Sequence, residues 1–240
     1  MEKQNIRVGR IPAIIWGRKS DRVFLHVHGK LSKKEYAEQF AAIAEKKGFQ
    51  TVSFDLPQHG ERSCDESPEE KFWVFNVFNA LTDLRQMAEY VYARWKAVSL
   101  FGNSYGAQIS LQLFSEEKRK LDQVLFQSPI VDMNYLISQM QVWFDVSEER
   151  LRKEKIVETA VDTMTIEQFD WFRAHKIKNW EHKTSVLYGG KDQMQSREVI
   201  ENFCKKYGAN LTVSEKSDHP FMAPEDFAVF GHWLEKTIEP

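Results

Sequence analysis

Short apolar runs rich in β-branched residues alternate with longer amphipathic segments along nearly the whole chain. The runs are Ile11 to Trp16, Arg22 to Val27, Thr51 to Phe54, Val98 to Phe101, Gln123 to Phe126, Ser185 to Tyr188 and Leu211 to Ser214. Each is bounded by turn residues and most are apolar at successive positions, which suits strands of a parallel sheet covered on both faces. The segments between them carry helical stripes. The clearest spans about Phe75 to Trp95, where Val77, Leu81, Leu84, Ala88, Val91 and Trp95 recur three or four apart. Others hold Tyr36, Phe40 and Ile43 before Gly48, Ile200, Phe203 and Tyr207 before Gly208, and Phe227, Phe230 and Leu234 near the end. The two glycines suit left-handed helix caps. This order predicts an α/β fold built on a doubly wound, mostly parallel sheet.

One stretch breaks the rhythm. From Val131 to Lys183 no convincing strand appears; the pattern is helical, with a capping box at Thr165-Ile166-Glu167-Gln168 and many large apolar residues. It reads as a small helical cap inserted into a single domain of residues 1–240, a length that suits one sizeable core. Lys and Arg number 33 against 35 Asp and Glu, a net charge of −2 with no block of one sign, which argues against nucleic-acid binding. No segment approaches the roughly 20 apolar residues of a membrane-spanning helix, and MEKQNIRVGR lacks the apolar stretch of a secretory leader, so a cytoplasmic location is expected. Cys64 and Cys204 show no metal-ligand or redox spacing, so neither structural zinc nor a disulfide framework is expected.

The run Val98 to Phe101 leads directly into Gly102-Asn103-Ser104-Tyr105-Gly106, and a helical pattern follows from near Ala107. A G-x-S-x-G sequence between strand and helix forces its serine onto a sharp turn, with the flanking glycines letting strand and helix approach closely. A serine hydroxyl is a weak nucleophile at neutral pH and needs a base that a third group orients. Downstream lie Asp192, in Gly189-Gly190-Lys191-Asp192 after one strand, and His219, in Ser217-Asp218-His219-Pro220 after the next. Of the seven histidines only His219 falls between the last predicted strand and the last helix. His26, His28, His59, His175, His182 and His232 read as loop, strand or surface residues. Asp132, following the strand that ends near Phe126, is a rival for the orienting carboxylate. Asp218 reads as a turn residue, and Asp55 with His59-Gly60 as residues that tie down a loop above the sheet.

Taken in order, His28-Gly29, Asp55-Leu56-Pro57-Gln58-His59-Gly60, Gly102 to Gly106, Gly189 to Asp192 and Asp218-His219 resemble the motif series of the α/β-hydrolases, in their small-capped esterase and acyl-lipase-like group. The resemblance covers nearly the whole chain. It implies Ser104 as nucleophile, His219 as general base and then acid, and Asp192 as the carboxylate that orients the imidazole. It also implies an oxyanion hole made by the main-chain N–H groups of Lys30 and Tyr105, although an apolar residue or glycine is more usual where Lys30 stands. The activity expected is a serine hydrolase that cleaves a carboxylic ester with a small or medium apolar acyl group through an acyl-enzyme, without cofactor or metal. Thioester and amide hydrolysis share that intermediate, and a scaffold that binds a ligand without turnover is the alternative from another class. A dehalogenase would want a carboxylate at position 104. The partner expected is a small-molecule ester, with no nucleic acid and no stable membrane insertion; a homo-oligomer is left open.

Phe72, Trp73, Phe75 and Phe78, and then Tyr135, Met140, Trp143, Phe144, Phe169, Trp171, Phe172 and Trp180, individually read as core residues. As a set they are expected to roof the serine and favour an apolar acyl or aryl group. The run Glu148 to Lys155 reads as a solvated helix face.

Overall fold

Alternation along each strand sorts the core into two layers. In β3 (Arg22–Val27), Val23, Leu25 and Val27 join one apolar cluster while Phe24 joins another, because successive side chains point to opposite faces of a sheet. The first cluster includes residues of α2 (Val77–Tyr92), α3 (Tyr105–Phe114) and α7 (Arg197–Tyr207); the second includes residues of α1 (Glu38–Lys46) and α8 (Pro224–Thr237). Helices therefore cover both faces of the sheet, as the apolar runs require. The computed structural model describes residues 1–62, 76–117, 119–160 and 163–240.

The sheet holds eight strands in the order β1 (Lys3–Val8), β2 (Ile11–Trp16), β4 (Gln50–Phe54), β3, β5 (Ala97–Asn103), β6 (Val124–Gln127), β9 (Thr184–Gly189), β10 (Asn210–Ser214). β1 pairs antiparallel with β2, and β2 with β4; every pairing from β4 to β10 is parallel. Parallel strands end on one edge, so the loops after β3, β4, β5, β6, β9 and β10 gather there. The stripe expected from Phe75 to Trp95 forms α2, with Asn76 accepting from the Asn79 N–H as its cap. Phe75, like Phe72, Trp73 and Cys64, lies outside the described residues.

Two expectations need correction. β1 was not predicted: KQNIRV is mostly polar, and only Val8 of this edge strand is buried. The segment 131–183 is not purely helical. It holds α4 (Met133–Trp143), α5 (Glu148–Glu154), β7 (Ile156–Glu158), β8 (Thr163–Thr165) and α6 (Ile166–Ala174), with β7 and β8 paired antiparallel as a separate two-stranded sheet. Strands of three residues are too short for a period of two to register against helical neighbours. The capping box is half formed: Thr165 Oγ1 accepts from the Gln168 N–H, while Gln168 Oε1 turns away to accept from the Val77 N–H that opens α2 (3.1 Å). The cap aromatics divide as well. Phe169 and Phe172 are buried in two small clusters, whereas Trp180 packs in the main core against Phe126 and donates to Thr184 Oγ1 (2.7 Å).

Candidate active site

β5 carries the chain to the C-terminal edge of the sheet, where Asn103 pairs with Gln127 of β6. The next residue, Ser104, has φ +50° and ψ −116° and caps α3. That region is sparsely populated by residues with a side chain, so the surrounding contacts must hold it. The Ser104 N–H donates to Gln127 O (3.0 Å), and its carbonyl accepts from the N–H groups of Ala107 (3.1 Å), Gln108 (3.2 Å) and Ile130 (3.3 Å). The glycines are there for clearance. A Cβ on Gly102 would lie 2.8 Å from Ala107 Cα, and one on Gly106 would collide with the carbonyl oxygens of Val27 and His28. Gly29, before Lys30, lies so close that a Cβ there would be 3.1 Å from Ser104 Cβ.

Ser104 Oγ lies 2.7 Å from His219 Nε2, and His219 Nδ1 lies 2.7 Å from Asp192 Oδ2. With the ring neutral, Nδ1–H donates to the carboxylate and Nε2 accepts the serine proton. The Asp192 side chain is fully buried, and its other oxygen accepts from the Met194 N–H (2.7 Å). A buried carboxylate needs such donors, and here they also fix its plane. Asp132 is not at this site: its Oδ1 caps α4, accepting from the N–H groups of Asn134 (2.9 Å) and Tyr135 (3.1 Å). Tyr105 opens α3, so its N–H belongs to the first turn, where the helix offers donors and partial positive charge. Its side chain packs against a small apolar cluster of Val77, Ile130, Met133, Leu136 and Phe172, which joins the start of α2 to α4 and α6. Asp218, read as a turn residue, gives its carbonyl to the Phe221 N–H (3.3 Å).

Two supports were absent from the sequence reading. Gln195 is fully buried between the loops after β6 and β9; its Oε1 accepts from the Val131 (3.1 Å) and Asp132 (2.9 Å) N–H groups, and its Nε2 donates to the Asp132 (3.1 Å) and Met194 (2.9 Å) carbonyls. Ser217 donates to Asp226 Oδ1, and Asp226 Oδ2 accepts from the Ala223 N–H (3.0 Å), which pins the His219 loop to the start of α8. Neither residue lies in a periodic element, and each finds its partner across a loop; a buried polar residue between turns was the only available signal.

The other histidines have different surroundings. His26 stacks on Phe101 (4.6 Å between centroids) and His175 on Trp171 (4.4 Å), while His232 is exposed. Burial pushes the His26 and His28 imidazoles down to about 3, so both are neutral at ordinary pH. A cavity of 310 Å³ is lined by Gln108, Asp132, Phe172 and Tyr207 among others, and by none of Ser104, Asp192 and His219. Among the described residues no group of three or more His, Cys, Asp or Glu side chains could hold a metal ion, and no helix is long and apolar enough to cross a membrane.

Comparison with known proteins agrees with this architecture. The chain is similar over 99% of its length to 99% of a protein of Agrobacterium vitis S4 described as a hydrolase (17% identity, TM-score 0.76). It is also similar over 97% of its length to 96% of Est1E from Butyrivibrio proteoclasticus in a structure with bound ferulic acid (13% identity, TM-score 0.77). A Pyrococcus furiosus esterase matches over 98% of this chain and 90% of its own (15% identity, TM-score 0.64). No curated protein matches by sequence. The family model described as serine aminopeptidase, S33 matches residues 18–168, more than half of the chain. The chain therefore belongs to the serine aminopeptidase S33 family of α/β-hydrolases.

Proposed function

We propose that the protein is a serine hydrolase that cleaves a carboxylic ester carrying a small or medium apolar acyl group. Ser104 attacks the carbonyl carbon as its proton passes to His219 Nε2. The N–H groups of Lys30 and Tyr105 hold the developing oxyanion, and Asp192 stabilises the imidazolium. His219 then protonates the leaving alcohol, activates the water that attacks the acyl-enzyme, and returns a proton to Ser104. No cofactor or metal takes part in this sequence. The observation that carries the reading is the continuous chain of hydrogen bonds from Ser104 Oγ through His219 to Asp192, each step 2.7 Å. A thioester or activated amide would pass through the same acyl-enzyme, so the leaving group rests on the substrate test.

The test is hydrolysis of p-nitrophenyl esters from acetate to laurate by the wild type and by Ser104→Ala. Turnover should fall by about 10⁴-fold or more in the variant, and the preferred chain length measures the acyl site. A folded wild type that turns over no ester, thioester or amide and takes no fluorophosphonate at Ser104 would point instead to a scaffold that binds without catalysis.

A further inference from the structure

The motif Asp55 to Gly60 has no part in the chemistry above, yet its loop is bonded to the loop that carries Lys30. The Leu56 N–H donates to His28 Nε2 (3.1 Å), the Leu31 N–H donates to His59 Nε2 (3.0 Å), and the Lys34 N–H donates to Asp55 Oδ1 (2.9 Å). The Lys34 ammonium adds an ion pair to Asp55 Oδ2 (2.6 Å), with both side chains buried. Two further bonds fix the rings. His28 Nδ1 donates to Gly29 O (2.7 Å), and His59 Nδ1 donates to Pro57 O (2.7 Å).

These contacts bracket one residue. The Gly29 carbonyl and the Lys30 N–H belong to a single rigid peptide plane, so the bond from His28 orients that N–H. The Leu31 N–H belongs to the plane on the other side of Lys30, and His59 holds it. Leu31 needs holding: its φ is +60° and the residue is 88% exposed. A left-handed leucine costs on the order of 1 kcal/mol, and an exposed side chain offsets none of it by packing.

We propose that His28 and His59 are positioning residues that, as neutral Nδ1–H tautomers, fix the two peptide planes flanking Lys30 and so preorganise its N–H as an oxyanion donor beside Ser104. The proposal rests on the serine-hydrolase reading. Each ring both donates at Nδ1 and accepts at Nε2, which only this tautomer can do; a protonated ring has no acceptor. The surroundings favour the neutral form. Burial lowers the affinity of both rings for a proton, and at His59 the charges of Lys30 and Arg62 lower it further, against the opposing pull of the Pro57 carbonyl and Asp55. The rings are neighbours, with centroids 5.2 Å apart, so protonation of one would also disfavour protonation of the other.

The test compares wild type, His59→Gln and His59→Leu. Gln keeps an acceptor near the Nε2 position and Leu has none. We expect an alkyl fluorophosphonate to label Ser104 about tenfold or more slowly in His59→Leu and within about threefold of wild type in His59→Gln. With p-nitrophenyl acetate the loss should fall on kcat with KM unchanged, because an oxyanion donor acts in the transition state; a purely structural role would lower the unfolding midpoint without that split. Labelling of folded His59→Leu at the wild-type rate overturns the proposal. If His59→Leu does not fold, nitrogen NMR of the wild type decides: His59 should carry its proton on Nδ1, and a proton on Nε2 overturns the proposal. A wild type that takes no label overturns the hydrolase reading itself and the positioning role with it, an outcome distinct from a labelled wild type with an unaffected variant.

Discussion

Two aspartates competed on sequence grounds for one role, and their environments separate them. Asp192 is buried and meets His219 at 2.7 Å, whereas Asp132 spends its Oδ1 on the first turn of α4. Asp192→Asn keeps the shape but presents an amide donor to Nδ1, which favours the tautomer with its proton on Nε2, where it can no longer accept from serine. Turnover of p-nitrophenyl acetate should then fall by about 10⁴-fold. Asp132→Asn should stay within about threefold, because asparagine caps a helix as well as aspartate does. The reverse pattern in steady-state kinetics would assign the acid to Asp132. Ser104, Asp192 and His219 were legible because each sits in a motif whose glycine or proline punctuation survives in one dimension. Gln195 and Ser217 were not, because their burial depends on loops brought together from distant parts of the chain.

At the level of elements, the buried parallel strands and the stripe of α2 were readable because burial on both faces, or on one helix face, leaves a periodic trace. β1 was lost because an edge strand keeps its polar face, and β7 and β8 because three residues hold too little of a period. Gln168 shows how a local signature can be diverted. Its backbone N–H is capped by Thr165, but its side-chain oxygen accepts from the Val77 N–H and so joins α6 of the cap to the start of α2. Gln168→Leu should leave that N–H without its acceptor and cost about 1 to 2 kcal/mol, read from denaturant unfolding. Gln168→Glu, which keeps the acceptor at a helix N-terminus, should cost much less. Equal stabilities would show that the bond between the two helices contributes nothing.

Across the whole molecule, strand order could not be read from the chain: nothing in the β3 run states that it lies between β4 and β5. The parallel arrangement nevertheless has a consequence the motifs anticipated, since it brings the loops that follow six strands to one edge. It also buries histidines that follow or end strands. His26 lies against Phe40 and Phe101, its Nδ1 without a hydrogen-bond partner among the described residues, and the ring of His28 accepts from the Leu56 N–H in the loop after β4. Both are held down to about 3 by burial, against 6.5 when exposed to solvent. Between those values the unfolded chain binds protons that the folded protein refuses, so stability is full above about pH 6.5 and falls as the pH drops through the window. Each such histidine contributes a slope of about 1.4 kcal/mol per pH unit. His26→Phe, which leaves an aromatic ring among aromatic rings, should remove one proton from that dependence. Unfolding free energies measured from about pH 6.5 to 4.5, above the range where most carboxylates titrate, should therefore decline less steeply in the variant than in the wild type. Parallel declines would mean that His26 takes its proton in the folded state, and that burial does not set its charge.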